Sequence, residues 1–302
     1  MEKFVIVGVG ATGRAVAKAL KGREAEVILV SRSGGGADLP GTRVARGDAA
    51  DAQFMAQVAA GATAIFNCAN PPYNKWLTDW PPVAASLVQA ATRSGAVLTT
   101  LSNLYAYGPP TAPLTPHDPL VSTLPKAQVR ATMWRDALAA HERGDLRATE
   151  VRASDFIGHG SQSLFERALP QVAKGRTATV YGDVDQLHSW TYTGDVGRTL
   201  VAAATTEAAW GRPWHAVTNE PATMRSVLSD LAAALGAPAP KVRSLPNGLL
   251  KAIGLVSPLI GELPKVSYQF ERPFIIDDNE TRTLLGLEPT PWSEVIADAV
   301  GR

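Results

Sequence analysis

Apolar positions come in short continuous runs along the first half of the chain, and longer amphipathic stretches separate them. Phe4–Val7 is unbroken, partly β-branched and closed by a glycine, which predicts a short buried strand. Ala11 to Lys21 has helical spacing. Val27–Val30 repeats the strand signal, and Arg43–Ala45 is a weaker third instance. Asp51–Ala60 reads as helix, Ala64–Asn67 as a strand ended by Asn70-Pro71-Pro72, Val83–Ser94 as helix and Val97–Leu101 as a fifth strand. Strands joined through single helices pair in parallel by right-handed crossovers. The expected fold class is therefore α/β, a doubly wound parallel sheet whose ligand site lies beyond the carboxyl ends of its strands.

A proline-rich connection follows from Gly108 to Pro125, long enough inside a compact domain to suggest a functional loop. A helix from Lys126 to His141 and a strand at Thr149–Arg152 come next. Helices at Leu164–Ala173, Asp195–Thr205 and Thr223–Leu235 then alternate with short strand-like pieces. This divides the chain into a dinucleotide-type domain over 1–156 and a smaller substrate lobe over 157–302, some of whose segments return to the main sheet.

The 302 residues are 45% hydrophobic and 19% charged, enough for a sizeable core. A net charge of +1 argues against wrapping nucleic acid or coating an anionic membrane. Cys68 is the single cysteine, so neither an intramolecular disulfide nor a cysteine-based metal cluster is expected, and no metal site is proposed. The apolar start is too short for a signal peptide, and no stretch has the length of a clean membrane span. A cytoplasmic protein acting on a small molecule is the expectation.

Gly8-Val9-Gly10-Ala11-Thr12-Gly13 matches G-x-G-x-x-G directly after a strand and at the opening of a helix, the context that makes the pattern specific for a Rossmann dinucleotide site. Gly8 permits the turn, Gly10 leaves room for the pyrophosphate and Gly13 allows close helix packing, while the helix N-terminus favours the anion. An NAD-preferring site places an acid at the end of the second strand. Here the residues are Ser31-Arg32-Ser33, and Arg32 suits a 2′-phosphate, so NADP is the expected cofactor and NAD the alternative. Arg14 stands beside the same loop. Asp48, after Gly47, is either an adenine-side contact or an ordinary turn residue.

The chain resembles the extended short-chain dehydrogenase/reductase superfamily, in its NAD-dependent epimerase/dehydratase branch. The glycine loop is similar to that family's nucleotide loop, and Ala69-Asn70-Pro71-Pro72 to its cofactor-lining segment. Leu101-Ser102-Asn103-Leu104-Tyr105-Ala106-Tyr107-Gly108 resembles its serine-rich fifth-strand end. Val151–Gly160 resembles its Arg-Pro-x-x-x-x-Gly-Pro-Gly stretch, and Trp190–Val196 its late Phe-x-Tyr-Val-x-Asp-Val segment. The resemblance implies a Ser/Thr followed by Tyr-x-x-x-Lys, with Tyr as acid/base and Lys on the ribose. This chain has Asn103, Lys126 and Arg130 at those positions and no Tyr-x-x-x-Lys anywhere, so it reads as an atypical member.

Lys126 and Arg130 share a helical face, and a neighbouring guanidinium would favour a neutral, proton-transferring lysine. Lys126 is expected at the catalytic centre and the cofactor, with Arg130 beside it, Asn103 polarising an oxygen, and Tyr105 as the rival proton donor. His159, in Gly158-His159-Gly160, is expected to border the cleft, and His188 and Trp190 are weaker substrate-side candidates. The apolar run from Leu249 to Ile260 is either a lid for a hydrophobic substrate, a helix packed on its own lobe, or a homodimer contact.

Three readings follow. One is an NADP(H)-dependent oxidoreductase acting on a small, rather apolar carbonyl or alcohol. The second is a non-catalytic NADP(H) sensor. The third is a sugar-nucleotide epimerase or dehydratase with a substituted relay.

Overall fold

A computed structural model describes residues 1–36, 38–245 and 265–302. The run from Leu249 to Ile260 lies outside these residues. In chain order the first part holds β1 (Glu2–Val7), α1 (Ala11–Ala19), β2 (Ala25–Ser31), β3 (Thr42–Arg46), α2 (Ala52–Val58), β4 (Ala64–Asn67), α3 (Trp76–Ser94), β5 (Val97–Ser102), α4 (Pro125–Glu142) and β6 (Arg147–Arg152). The second part holds β7 (Phe156–Ile157), α5 (Leu164–Val172), β8 (Ala178–Tyr181), β9 (Leu187–His188), β10 (Thr191–Tyr192), α6 (Thr193–Thr205), β11 (Pro213–His215), β12 (Ala222–Thr223), α7 (Met224–Ala234) and β13 (Val242–Leu245). Three short helices follow: α8 (Tyr268–Glu271), α9 (Asn279–Leu285) and α10 (Trp292–Ala299).

Seven strands form one sheet in the order β11-β6-β5-β4-β1-β2-β3, every pair parallel. The order reverses beside β1, between the β2–β3 wing and the β4–β5–β6 wing, and a doubly wound sheet opens its crevice at such a point. Its two faces bury separate cores. Val5, Ile28, Ile65 and Leu98 look toward α2, α3 and α4, while Phe4, Ile6, Leu29 and Phe66 look toward α1 and α6. This alternation is the strand period of two with both faces covered. The helices α1 and α6 meet closely because Gly197 has no side chain to press on the backbone of Ala15.

α3 is longer than its apolar periodicity predicts. It starts at Trp76, so Pro81 and Pro82 sit inside it instead of before it. Both prolines are exposed and lie early in the helix, where only the Leu77 and Thr78 carbonyls lose partners. Burial of Trp76 and Trp80 beneath them offsets that loss. α4 starts with Pro125 at its first turn, where a missing N–H costs little.

β11 returns the chain to the edge of the main sheet beside β6. A third core, separate from the sheet, gathers Phe165, Val180 and Trp190 with Leu228, Phe270 and Val295, so it draws on both sides of β11 in sequence. An ionic network joins the parts. Arg152 binds Glu150, the Tyr107 hydroxyl and the Pro116 carbonyl, and Tyr107 also meets His215 Nε2 at 3.1 Å. His215 Nδ1 lies 2.9 Å from the Asp277 carbonyl. The proline-rich connection is thereby pinned to the sheet.

Candidate functional site

The glycine loop follows β1 at the reversal of strand order. Gly8 has φ +98°, and a Cβ there would meet the Cys68 carbonyl oxygen at 2.6 Å, so this turn needs glycine on two counts. A Cβ on Gly13 would overlap the Gly8 carbonyl oxygen. A Cβ on Gly10 would meet nothing within 4 Å, so the space before it is open. Gly10 caps α1 with extended backbone and no side-chain hydrogen bond, and Ala11, Thr12 and Gly13 form the first turn. The free N–H groups of that turn fit a pyrophosphate. Burial pushes the Cys68 thiol up to about 12, so it stays neutral beside the loop.

Arg32 and Ser33 are exposed just past β2, and Arg46 Nε donates to the Arg32 carbonyl at 3.3 Å. Arg14 is held by Asp38 in a two-pronged ion pair of 2.7 and 2.9 Å, so it does not stand free for a ligand. Gly36, with φ +96°, folds back so that Gly35 and Gly36 pack near Val9 of the glycine loop. Asp48 uses one carboxylate oxygen on the Ala50 N–H at 3.0 Å, which makes it a turn-forming residue whose other oxygen has no bond among the described residues. The Gly47 N–H on the Ser31 carbonyl places that turn next to the end of β2. Past β4, Ala69 donates to Asn67 Oδ1 at 3.4 Å and Asn70 is exposed.

On the other wing an aromatic cluster forms around Tyr105. Its ring lies 6.4 Å from that of Tyr73 and 6.1 Å from that of Trp76. Lys126 places its ammonium 3.8 Å over the Tyr73 ring. Asn103 Oδ1 accepts the Tyr105 N–H, which leaves the amide nitrogen for another partner. The Tyr105 phenol is pushed well above its usual range by burial first, and then by the Tyr73, Asp155, Tyr181 and Tyr268 groups, so it keeps its proton.

Three expectations need correction. Arg130 does not stand with Lys126 at a ribose. Its guanidinium is buried 4.4 Å over the Trp80 ring and donates to the Leu101 carbonyl, and desolvation pulls its pKa to about 10. The shared helical face is real, but the longer α3 supplies an aromatic surface that captures the side chain. Trp190 is a core residue, with Nε1 on the Ala222 carbonyl and its ring against Phe165. His159 is exposed, its backbone is bound by Asp298 and its ring lies near Gly301 and not in the Tyr105 cluster.

His188, the weaker substrate-side candidate, has the place of a hydrogen-bonded interior histidine. It is buried, with Nε2 3.0 Å from Asp155 Oδ2 and Nδ1 3.1 Å from the Gln269 carbonyl. Sequence reasoning passed over Asp155, although it stands in the quoted Val151–Gly160 stretch, one of the few acids at a strand end. Among the described residues no group of three or more metal-ligating side chains is present. No helix among them is long and apolar enough to cross a membrane.

The comparisons agree with this geometry. The sequence profile of the NAD dependent epimerase/dehydratase family matches residues 4–215. Curated proteins give no match. Among solved structures, a dTDP-glucose 4,6-dehydratase from Bacillus anthracis in complex with NAD has a TM-score of 0.81 at 15% identity, covering 99% of this chain and 96% of that one. A double mutant of a dTDP-glucose 4,6-dehydratase from Streptomyces venezuelae, with NAD bound, has a TM-score of 0.78 at 21% identity, with 99% and 96% covered. A UDP-glucose 4-epimerase with UDP-glucose from Thermotoga maritima has a TM-score of 0.79 at 16% identity, with 99% and 97% covered. At these identities the structures share the fold. With its dinucleotide-type loop at the strand-order reversal and a profile match across most of its length, the chain belongs to the NAD-dependent epimerase/dehydratase family.

Proposed function

We propose that this protein is a nicotinamide-dinucleotide-dependent oxidoreductase that prefers NADP(H) and acts on a small, rather apolar carbonyl or alcohol. The observation that carries the reading is the pairing of two half-sites across the strand-order reversal. The open first turn of α1 stands on one side, and the Tyr73–Tyr105–Lys126–Asn103 cluster stands beyond β5 on the other. The bound dinucleotide would supply or accept the hydride. Gly10 to Gly13 would hold the pyrophosphate, Ala69 and Asn70 would flank it, and Arg32 with Arg46 would face a 2′-phosphate.

Asn103 would hydrogen-bond the substrate oxygen through its amide nitrogen. Tyr105, kept neutral by desolvation of its phenol, would donate its hydroxyl proton to that oxygen, and the Lys126 cation would stabilise the phenolate left behind. Aromatic side chains supply most of the cluster, which favours an apolar substrate. The solved neighbours that act on sugar nucleotides support a second reading, in which the same groups serve an epimerase or dehydratase with a substituted relay.

NADPH oxidation against a panel of apolar ketones and aldehydes, beside UDP- and dTDP-glucose, tests both. Turnover that Tyr105→Phe or Lys126→Met removes, with NADPH affinity kept within a few-fold, is the expected result. Tight NADPH binding with no hydride transfer to any substrate would overturn it in favour of a sensor.

A further inference from the structure

Tyr105 and Asp155 leave the sheet side by side. β5 and β6 pair through Ser102 and Arg152, and the Ala153 N–H bonds the Ser102 carbonyl at 3.0 Å. Tyr105 is three residues past one strand and Asp155 three past the other. Leu104 packs with Phe274, and Phe274 lies 5.4 Å from the His188 ring. Thus Leu104, next to Tyr105, and His188 have Phe274 as a common neighbour, and the Asp155 charge acts on the Tyr105 phenol.

The hydrogen bonds of His188 fix where its protons are. The Gln269 carbonyl can only accept, so Nδ1 carries a hydrogen. A neutral ring would then turn a bare Nε2 toward a bare carboxylate oxygen 3.0 Å away, which is repulsive. Ser154 Oγ also meets Nε2, at a longer 3.4 Å, and does not relieve the closer approach of the Asp155 oxygen. The contact therefore holds one further proton, on nitrogen or on oxygen. The His188 ring is also stacked between Trp190, at 4.1 Å, and Phe270, at 5.0 Å, and aromatic faces on both sides favour positive charge on it. Among the described residues Asp155 is the one carboxyl group paired with it, and Ser154 Oγ, aromatic rings and backbone occupy its other faces. His188 is closed off from water, whereas Asp155 remains 38% exposed, so the proton can leave only through the carboxylate.

We infer that Asp155 and His188 share one proton and that this pair returns a proton to the Tyr105 oxygen after Tyr105 has given its own to the substrate. The step rests on the hydride-transfer reading above. In carbonyl reduction a reduced nicotinamide dinucleotide gives hydride to the carbonyl carbon, and the Tyr105 O–H bond breaks as its proton joins the carbonyl oxygen. The shared proton then moves from the Asp155 side of the pair to the Tyr105 oxygen, directly or through one water, and the pair regains a proton from solvent. Alcohol oxidation runs the same transfers backward, with the oxidised dinucleotide as the oxidant. Asp155 and His188 act through Tyr105, so they are positioning and relay residues. They fill part of the role left open by the missing Tyr-x-x-x-Lys. The Asp155 charge also acts on the Tyr181 and Tyr268 phenols, which burial keeps protonated, so neither competes as a proton acceptor.

The test has two arms on the full chain. Nitrogen-15 histidine NMR of the protein without dinucleotide should show a downfield imidazole N–H on His188 Nε2, absent in Asp155→Asn. The same variant should turn over about a hundredfold more slowly than the parent with NADPH affinity unchanged, and small carboxylic acids added to the buffer should restore part of the rate. A parent lacking the bridging proton, or an Asp155→Asn enzyme with full turnover, overturns the inference. A folded Asp155→Asn that small acids fail to rescue overturns the relay in favour of a structural role. No hydride transfer in the parent overturns the functional reading and the transfer step together, whereas the bridging N–H would still be seen.

Discussion

Arg152 Nε lies 2.6 Å from Glu150 Oε1, and each side chain is only 3% exposed. Two residues apart on β6, they face the same side of the sheet. Removing one partner strands the other charge in the interior. Glu150→Ala is expected to cost about 3–5 kcal/mol of stability, whereas a paired replacement of both by apolar residues should cost far less. Urea unfolding of the single and double variants measures the difference. Equal losses would mean that packing, not charge, holds the pair.

Acid should destabilise the fold through His215. Burial holds its pKa at about 4, below the ordinary 6.5, because the imidazolium would be desolvated and lies near Arg152. Above pH 6.5 the folded and unfolded states are both neutral at this site. As pH falls from 6.5 toward 4 the unfolded chain takes up a proton that the native state refuses, so stability drops, by roughly 3 kcal/mol at the limit. Unfolding free energies from pH 7 to 4 should show this slope, and His215→Gln should flatten it. A slope unchanged in that variant assigns the effect to another group.

Gly10 and Gly13 should fail differently. Gly10 faces open space, so Gly10→Val should fold normally and lose dinucleotide affinity. Gly13 lies against the Gly8 carbonyl, so Gly13→Val should lose about 1–3 kcal/mol or more of stability whether or not a ligand is present. Thermal unfolding with and without NADPH separates the two, and a Gly10→Val protein that still binds NADPH would remove the pyrophosphate from this loop.

Arg32 sets the expected preference for NADPH. A lost charge-assisted contact at an exposed phosphate is worth about 1.5–3 kcal/mol, so Arg32→Ala should weaken NADPH roughly tenfold to a hundredfold and leave NADH unchanged. Titration calorimetry reads both. Equal parental affinities for NADPH and NADH would return the site to NAD, the ligand seen with several of the solved neighbours.

Arg130 belongs to the interior. Its Nε has no hydrogen bond among the described residues, and its head is desolvated over Trp80. Arg130→Met should keep NADPH affinity and hold stability within about 1.5 kcal/mol, since Met fills similar space without a buried charge. Weaker NADPH binding in a stable variant would restore the guanidinium to the cofactor.

The parallel sheet and the phosphate loop were legible because both depend on local signals: short apolar runs, their spacing, and a glycine turn in which Gly8 has a backbone that other residues rarely adopt and Gly13 has no room for a side chain. The small lobe was less legible. β7, β9, β10 and β12 are two residues long and bury few side chains of their own, so no periodicity announces them. The side chains of the site were hardest to place. Spacing put Lys126 and Arg130 on one face, but which partner each takes depends on Tyr73 and Trp80, some fifty residues earlier. Asp155 and His188 are 33 residues apart, and their pairing follows from the parallel alignment of β7 with β10, which no local pattern encodes.

The third core mixes residues from before and after β11, and this has a consequence for how the chain is made. A ribosome releases Phe165 and Trp190 well before their partners Leu228, Phe270 and Val295. The sheet through β6 can assemble while synthesis continues, but these aromatic side chains stay uncovered until α10 has emerged. In that interval the nascent chain displays a sticky apolar surface that a folded sheet cannot hide, the kind of surface that recruits chaperones. Slow codons placed between β11 and α7 would lengthen the interval, whereas slow codons before β6 would leave it unchanged.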